Sequence, residues 1–550
     1  MTETTREQRS AIVNPPWATR PRALATLVLL CALPAVAFPG SLPIKLNGPL
    51  PPGGDVSFTP SFGPDGSTVL YRADQDTDEV FELYSVPVDG GMPVKLNGPM
   101  VTGGDVRDAR FTPDGQTVVY LADQLTNDKS ELFSVPATGG PFTRLNRDLP
   151  TGGNVSDFSI SPDGMTVVYF GDQDTDNVSE IYSVPIGGGT ITKLNPPLPG
   201  GGRQVLFTRF ISGDSSTVVY LADQETNNVN ELYSVPISGG SVIKLNEPLP
   251  NEGDVGLFGI KLSPDGSNMV YSADQETNNL HEIFSVPVGG GPVVKLNGPM
   301  PANGAIFEFQ FTPDGSTVVY RGEQNVIGIN ELFSVPAGGG AITPLSNPGD
   351  RTFNYQISPD GSTVVYQTST GGAGQDQLFS VPLQGGAVTQ LNAPLPAGQT
   401  VESFEISADS SSVAYSIGFI DVIEGGSPGT ALFSVPIGGG TPIQLTPEFV
   451  GGSGLNGFDI SRDSRYLVYQ SNQDAPGVDE IHLVSLSGGA SVKLNAPLVS
   501  GGDVQAFVQN ADGSRLMYMA DQDTDEVREI FSLAPELPEL PPEIFSDGFE

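Results

Sequence analysis

A hexapeptide, Glu-Leu-Tyr-Ser-Val-Pro at Glu82–Pro87, returns with small changes about every fifty residues along this chain. A Val-Val-Tyr or close relative precedes it each time, ending at Tyr71, Tyr120, Tyr169, Tyr220, Tyr271, Tyr320, Tyr366, Tyr415, Tyr469 and Tyr518. Neighbouring tyrosines lie 46 to 54 residues apart, so the chain carries ten copies of one unit. A period of this size means that each copy is one supersecondary unit, able to bury its apolar surface only against its neighbours. The fold must therefore be read from the unit and not from the total length of 550 residues.

One copy, from Val155 to Asn195, reads VSDFSISPDGMTVVYFGDQDTDNVSEIYSVPIGGGTITKLN. It contains four short β-forming segments separated by turn signals, the pattern of a four-stranded meander. The expected strands are Val155–Ile160, Thr166–Phe170, Glu180–Val184 and Thr190–Leu194. Ser-Pro-Asp-Gly closes the first hairpin, with Pro162 suited to the second place of a tight turn and Gly164 following it. The second strand is apolar on both faces, as a strand sandwiched between neighbours must be. Gly and Pro make up about a fifth of the chain, but at fixed places in each copy, which indicates turns and not disorder. Repeated four-stranded units of this length predict an all-β chain, a β-propeller of ten blades.

The copies are offset by one strand. Ser41–Asn47 carries a fourth-strand signature, Leu-Pro-Ile-Lys-Leu-Asn, with no strands before it, and the last copy stops after its third strand, Glu529–Leu533. The N-terminal strand is thus expected to complete the last blade, which would remove an exposed sheet edge. The same register at every boundary leaves two smaller rings open, six plus four or five plus five. The short connection after Leu345 marks the six-plus-four break.

Ser-Pro-Asp-Gly, an apolar strand, Glu-Ile/Leu-Tyr/Phe, then Gly-Gly and a late Leu together resemble the WD40-like (PD40) repeats of TolB-type β-propellers. The resemblance spans roughly residues 41–533. It implies the propeller fold and leaves the function open, because that repeat serves scaffolds, periplasmic binding proteins and the non-catalytic halves of peptidases. The chain departs from TolB in having more blades and no separate N-terminal domain.

Residues 1–37 differ from the rest. Arg20 and Arg22 precede an apolar run from Ala23 to Ala37, and Ala35-Val36-Ala37 has small residues where a signal peptidase reads them. A signal peptide over 1–37 places the propeller at 38–533 in the periplasm or outside the cell, with a Pro/Glu-rich tail over 534–550. Removing 1–37 takes away the only Cys and the only Trp, and leaves 21 basic against 62 acidic residues, a formal charge of −41. Such a surface repels phosphate backbones and anionic lipid, so nucleic acid and membrane insertion of the mature chain are excluded as partners. A protein or glycan partner remains, with the chain expected to be a monomer.

The loop between the second and third strands and the connection to the next blade leave the ring on one face, and both are acidic. In the first copy the loop places Asp74, Asp76 and Asp78 before Glu82. The same series recurs as Asp172, Asp174, Asp176 and Glu180, and as Asp521, Asp523, Asp525 and Glu529. Alternating carboxylates on a tight loop suit calcium, which takes about six to eight oxygen ligands. The other reading is local: Asp and Asn cap the backbone of hairpin loops. Leu125, Ile327 and Pro476 break the series in other copies, and the EF-hand's glycine and closing glutamate are absent.

Catalytic signals are sparse, and no catalytic residue is assigned. Gly425-Gly426-Ser427-Pro428-Gly429 matches Gly-x-Ser-x-Gly, but in a hairpin loop and not in the strand–turn–helix setting of a nucleophile elbow. The two histidines, His281 and His482, exclude a His-rich zinc site. His482 stands where other copies carry Phe or Tyr. The competing class is a hydrolase or lyase using carboxylates at the central opening, with no pair singled out by sequence. The expectation is a non-catalytic binding scaffold presenting an acidic face.

Overall fold

In a computed structural model, the chain is described over residues 42–535, except 58, 199–201, 203, 251–252, 370–374, 420–430 and 450–453. The signal segment, the Gly425–Gly429 match and the C-terminal tail from 536 onward lie outside the described residues. Among the described residues every regular element is a strand, and the strands form ten antiparallel four-stranded sheets, one per repeat.

Blade three shows how sequence makes a blade. Its strands run Val155–Ile160, Thr166–Gly171, Glu180–Pro185 and Thr192–Lys193. The second and third strands pair through all six residues and are almost wholly buried, as their apolar composition requires. The first is half-buried and carries a bulge between Val155 and Asp157, repeated at the same place in other blades, which raises local twist. The fourth pairs over only two residues, shorter than the expected Thr190–Leu194. The triple-glycine turn accounts for this: Gly188 and Gly189 have positive φ, and the chain reaches the sheet only at Thr192. In the Ser161–Gly164 turn, Gly164 donates to the Ser161 carbonyl at 2.8 Å with φ 73°. Where serine takes that left-handed place, at Ser215, Ser410 and Ser464, its hydroxyl accepts from an aspartate N–H of the preceding blade.

Ten apolar clusters form the core, each straddling one pair of adjacent blades. One joins Val69 and Tyr71 of blade one to Met517 and Ile530 of blade ten, and another joins Val319 of blade six to Tyr355 of blade seven. The short connection after Leu345 therefore interrupts nothing, and the chain closes as one ten-blade ring. The closing strand is Ile44–Lys45, paired antiparallel with Glu529–Leu533 through Ile44↔Ser532 and Lys45↔Phe531.

The serine of Ser-Val-Pro has a specific task. Its hydroxyl donates to the carbonyl of the residue after the next blade's Pro: Ser85 to Ala137, Ser134 to Ile186, and Ser183 to Ile237, at 2.7–2.8 Å. Ser532 makes the same bond to Val88 across the closure. First strands of adjacent blades touch one another, as at Gln356 Nε2 to the Phe404 carbonyl, which puts them at the inner wall. The fourth strands, with Val94, Ile243 and Ile443 exposed, form the outer rim.

Candidate functional site

The acidic loops are built from the backbone outward. In blade one, Asp74 is buried; one carboxylate oxygen accepts from the Asp55 N–H and the other from the Glu79 N–H at 3.0 Å. Glu79 has φ 63°, and the equivalent left-handed place is held by Asp128, Asn177, Asn228, Asn279, Gly328, Gly477 and Glu526. The aspartate caps a strained turn, the job for which its short acceptor side chain suits it. Gln75 follows, and its Oε1 accepts from the Tyr71 hydroxyl and the Gly48 N–H, both at 3.1 Å, tying loop to core and to the incoming connection.

The next carboxylates share a cation supplied by the protein. Lys95 Nζ lies 3.1 Å from Asp76 and against Glu82. Glu82 is buried and also accepts from the Tyr84 hydroxyl at 3.2 Å and from Asn97 at 3.4 Å. Blade three repeats the arrangement with Lys193 between Asp174 and Glu180, and blade ten with Lys45 between Asp523 and Glu529. Asp172 and Asp521 are turn caps like Asp74. Asp78, Asp176 and Asp525 stand at exposed loop tips, apart from the lysine bridges. The structure thus distributes each predicted set among three places: cap, bridge and tip. The Tyr182 phenol is pushed far up by burial and by the adjacent Glu180 carboxylate, so it stays a donor.

The bridging lysines had not been singled out from sequence, although a signal was present. Lys-Leu-Asn recurs with its lysine thirteen residues after the buried glutamate and nineteen after the loop acid, as in Lys244 with Glu231 and Glu225. The following Asn caps the third strand, Asn97 Oδ1 accepting from the Leu83 N–H at 2.8 Å. The bridge is missing from blades six to eight: Pro344, Gln390 and Gln444 stand in place of the lysine, and Gln377 and Ala431 replace the glutamate in blades seven and eight.

The tips leave charge without a basic partner. Asp525 and Glu526 of blade ten, Asp78 and Glu79 of blade one, Asp128 of blade two and Asp176 of blade three are exposed. Among the described residues none of the six pairs with a lysine or arginine. These four blades are consecutive around the ring. In blades four and five the tips are Asn227, Asn228, Asn278 and Asn279, and blade six presents exposed Val326 and Ile327.

Two further groupings stand out. At the inner wall, Glu405 of blade eight accepts from the Ile460 N–H at 2.9 Å and faces the Asp459 carboxylate, which accepts from Gln509 at 2.8 Å. Burial, and then the Asp459 charge, push the Glu405 carboxyl up to about 8. Consecutive copies reading Phe-Glu-Ile-Ser and Phe-Asp-Ile-Ser were the only sequence sign of this pair. In blade nine, His482 stacks on Tyr469 at 5.2 Å, where other blades stack Phe or Tyr. Among the described residues, Asp474, Glu480 and His482 are the one set of three whose ligand atoms all lie within 4.8 Å of one another.

No protein-family model and no curated protein sequence matches the chain. Among solved structures it is similar to a prolyl endopeptidase, at 13% identity and TM-score 0.38, covering 68% of this chain and 55% of that one. The chain thus spans about half of that peptidase's length. It is similar to a putative TolB from Agrobacterium tumefaciens, at 20% identity and TM-score 0.27, covering 44% and 79%. An oligogalacturonate lyase in complex with manganese is similar at 14% identity and TM-score 0.33, covering 69% and 96%.

Proposed function

We propose that the chain is an exported, non-catalytic binding scaffold that engages a positively charged protein partner through the acidic arc of blades ten, one, two and three. The observation that carries this reading is the division of labour among the loop carboxylates. Those near the sheet are neutralised by lysine or consumed by backbone N–H groups, whereas the tips of four consecutive blades keep their charge. Carboxylates at exposed tips steer a cationic partner and fix its register, an effect that weakens with salt. Calcium enters this proposal as an exchangeable counter-ion of the arc, since the carboxylates of the bridges already share Lys45, Lys95 or Lys193 and those of the tips share no basic side chain.

Affinity capture from envelope and medium fractions tests the reading. The wild-type chain should retain a basic protein at low salt and release it at high salt. Asp78→Asn, Glu79→Gln, Asp525→Asn and Glu526→Gln combined should abolish retention. Equal capture by this variant would overturn the proposal, and repeating the capture with a chelator reads the contribution of calcium. The Glu405–Asp459 pair favours the second reading, a carboxylate-dependent hydrolase or lyase. Turnover of an oligosaccharide or peptide lost in Glu405→Gln would establish it.

A further inference from the structure

His482 occupies a third-strand position that elsewhere holds a ring with no need of a ligand. Phe133, Phe284, Phe333, Phe379, Phe433 and Phe531 take it in six blades. In three others, Tyr84, Tyr182 and Tyr233 give their hydroxyl to the buried glutamate two residues earlier. The imidazole is 2% exposed, yet neither ring nitrogen has a hydrogen-bond partner. A buried polar ring left short of hydrogen bonds is costly, on the order of 1–3 kcal/mol. Its Nε2 points at the loop acid, 3.6 Å from Asp474 Oδ2. The buried Glu480 completes the set.

We propose that Asp474, Glu480 and His482 form a binding site for one divalent transition-metal ion, zinc being the ion whose ligand preferences match. Imidazole together with carboxylate is a zinc donor set, with bonds of about 2.0–2.2 Å. Tetrahedral bonds of that length separate ligand atoms by about 3.4 Å, close to the separation of His482 and Asp474. Two carboxylates and a neutral imidazole balance a divalent charge.

The place between the two carboxylates is taken by Lys493, whose Nζ lies 2.8 Å from Asp474 and 2.7 Å from Glu480. This is the bridge of the other blades, and its ammonium marks where a cation is stabilised. The Lys493 side chain is 38% exposed, so it can swing into solvent when the ion enters. In blades one, three and four the position of the imidazole is held by a tyrosine that donates to the glutamate. Blade nine alone among the lysine-bridged blades offers a nitrogen donor beside both acids.

Zinc chloride titrated into the full metal-free chain, followed by calorimetry, tests the site. Wild type should bind one equivalent tightly, and His482→Phe, which installs the ring found in six other blades, should weaken that step about tenfold or more. Lys493→Met removes the competing ammonium and should tighten it. Cobalt substitution should give visible absorption bands that vanish in His482→Phe. If circular dichroism shows that variant misfolded, Asp474→Asn, a change at an exposed loop residue, gives the same reading. Absence of a stoichiometric zinc step in wild type, or an unchanged step in His482→Phe or Asp474→Asn, would overturn the proposal.

Discussion

Glu405 and Asp459 set two carboxylates against each other at the seam between blades eight and nine. The ordinary value for Glu405 is 4.5, and in the folded chain it is pushed up to about 8. Between those values the folded protein keeps a proton that the unfolded chain has released, so stability is full below the lower value and falls as pH rises through the window. The expected loss from pH 5 to pH 8.5 is roughly 2 kcal/mol, below what the full shift implies because the pair is partly exposed. Glu405→Gln should flatten this dependence and unfold at higher denaturant than wild type at pH 8.5. Urea titrations at the two pH values check it, and a wild-type midpoint that rises with pH would contradict it. The pair escaped sequence reading because 64 acidic residues hide any two of them. Adjacency across blades emerges only once the ring is closed.

Within each element the division between legible and illegible follows the repeat. Strands two and three, the turn glycines and the Ser-Val-Pro segment were readable because each copy restates them. The task of Ser183 was not, because its acceptor, the Ile237 carbonyl, lies 54 residues away in the next blade. Ser183→Ala should cost about 1 kcal/mol, the worth of one hydrogen bond with its carbonyl left short of a partner. Ser434→Ala, which frees the Leu486 carbonyl, should cost about the same. The two should add, since they act at interfaces on separate blades. Chemical denaturation of both single variants and the double variant checks this. The Lys-Leu-Asn segment was legible as a strand but not as a counter-ion. Its meaning lies in spacings of thirteen and nineteen residues, which become contacts only when the fourth strand folds back.

For the whole molecule the decisive contact is that of Ile44–Lys45 with Glu529–Leu533. Beyond the ladder, Leu46 donates to the Ile530 carbonyl, Asn47 Oδ1 accepts from the Ile530 N–H at 3.0 Å, and Leu46 is buried in the closing cluster. Deleting residues 41–47 should lower the unfolding free energy by about 3 kcal/mol or more, through one lost core leucine and several backbone bonds. Hydrogen exchange should then accelerate in Glu529–Leu533 while the strands of blade five keep their protection. Uniform behaviour across the ring would show that closure contributes nothing. A single ring was readable from the offset of the copies. Its preference over two smaller rings was only narrowly so, because the boundaries share one register, and the clusters between blades six and seven and between ten and one decide it.

The same closure sets an order on the birth of the protein. Nine of the ten interfaces join neighbours in sequence and can assemble as the chain emerges, blade upon blade. The tenth joins Ile44 to Ser532, so the earliest strand of the ring must wait unpaired until the last one has been made. Non-local pairing of this kind is slow, and a waiting strand edge invites association with other chains. A chain halted anywhere before residue 529 is an open arc with two uncovered blade faces, and only synthesis through Leu533 lets blade ten and blade one cover each other.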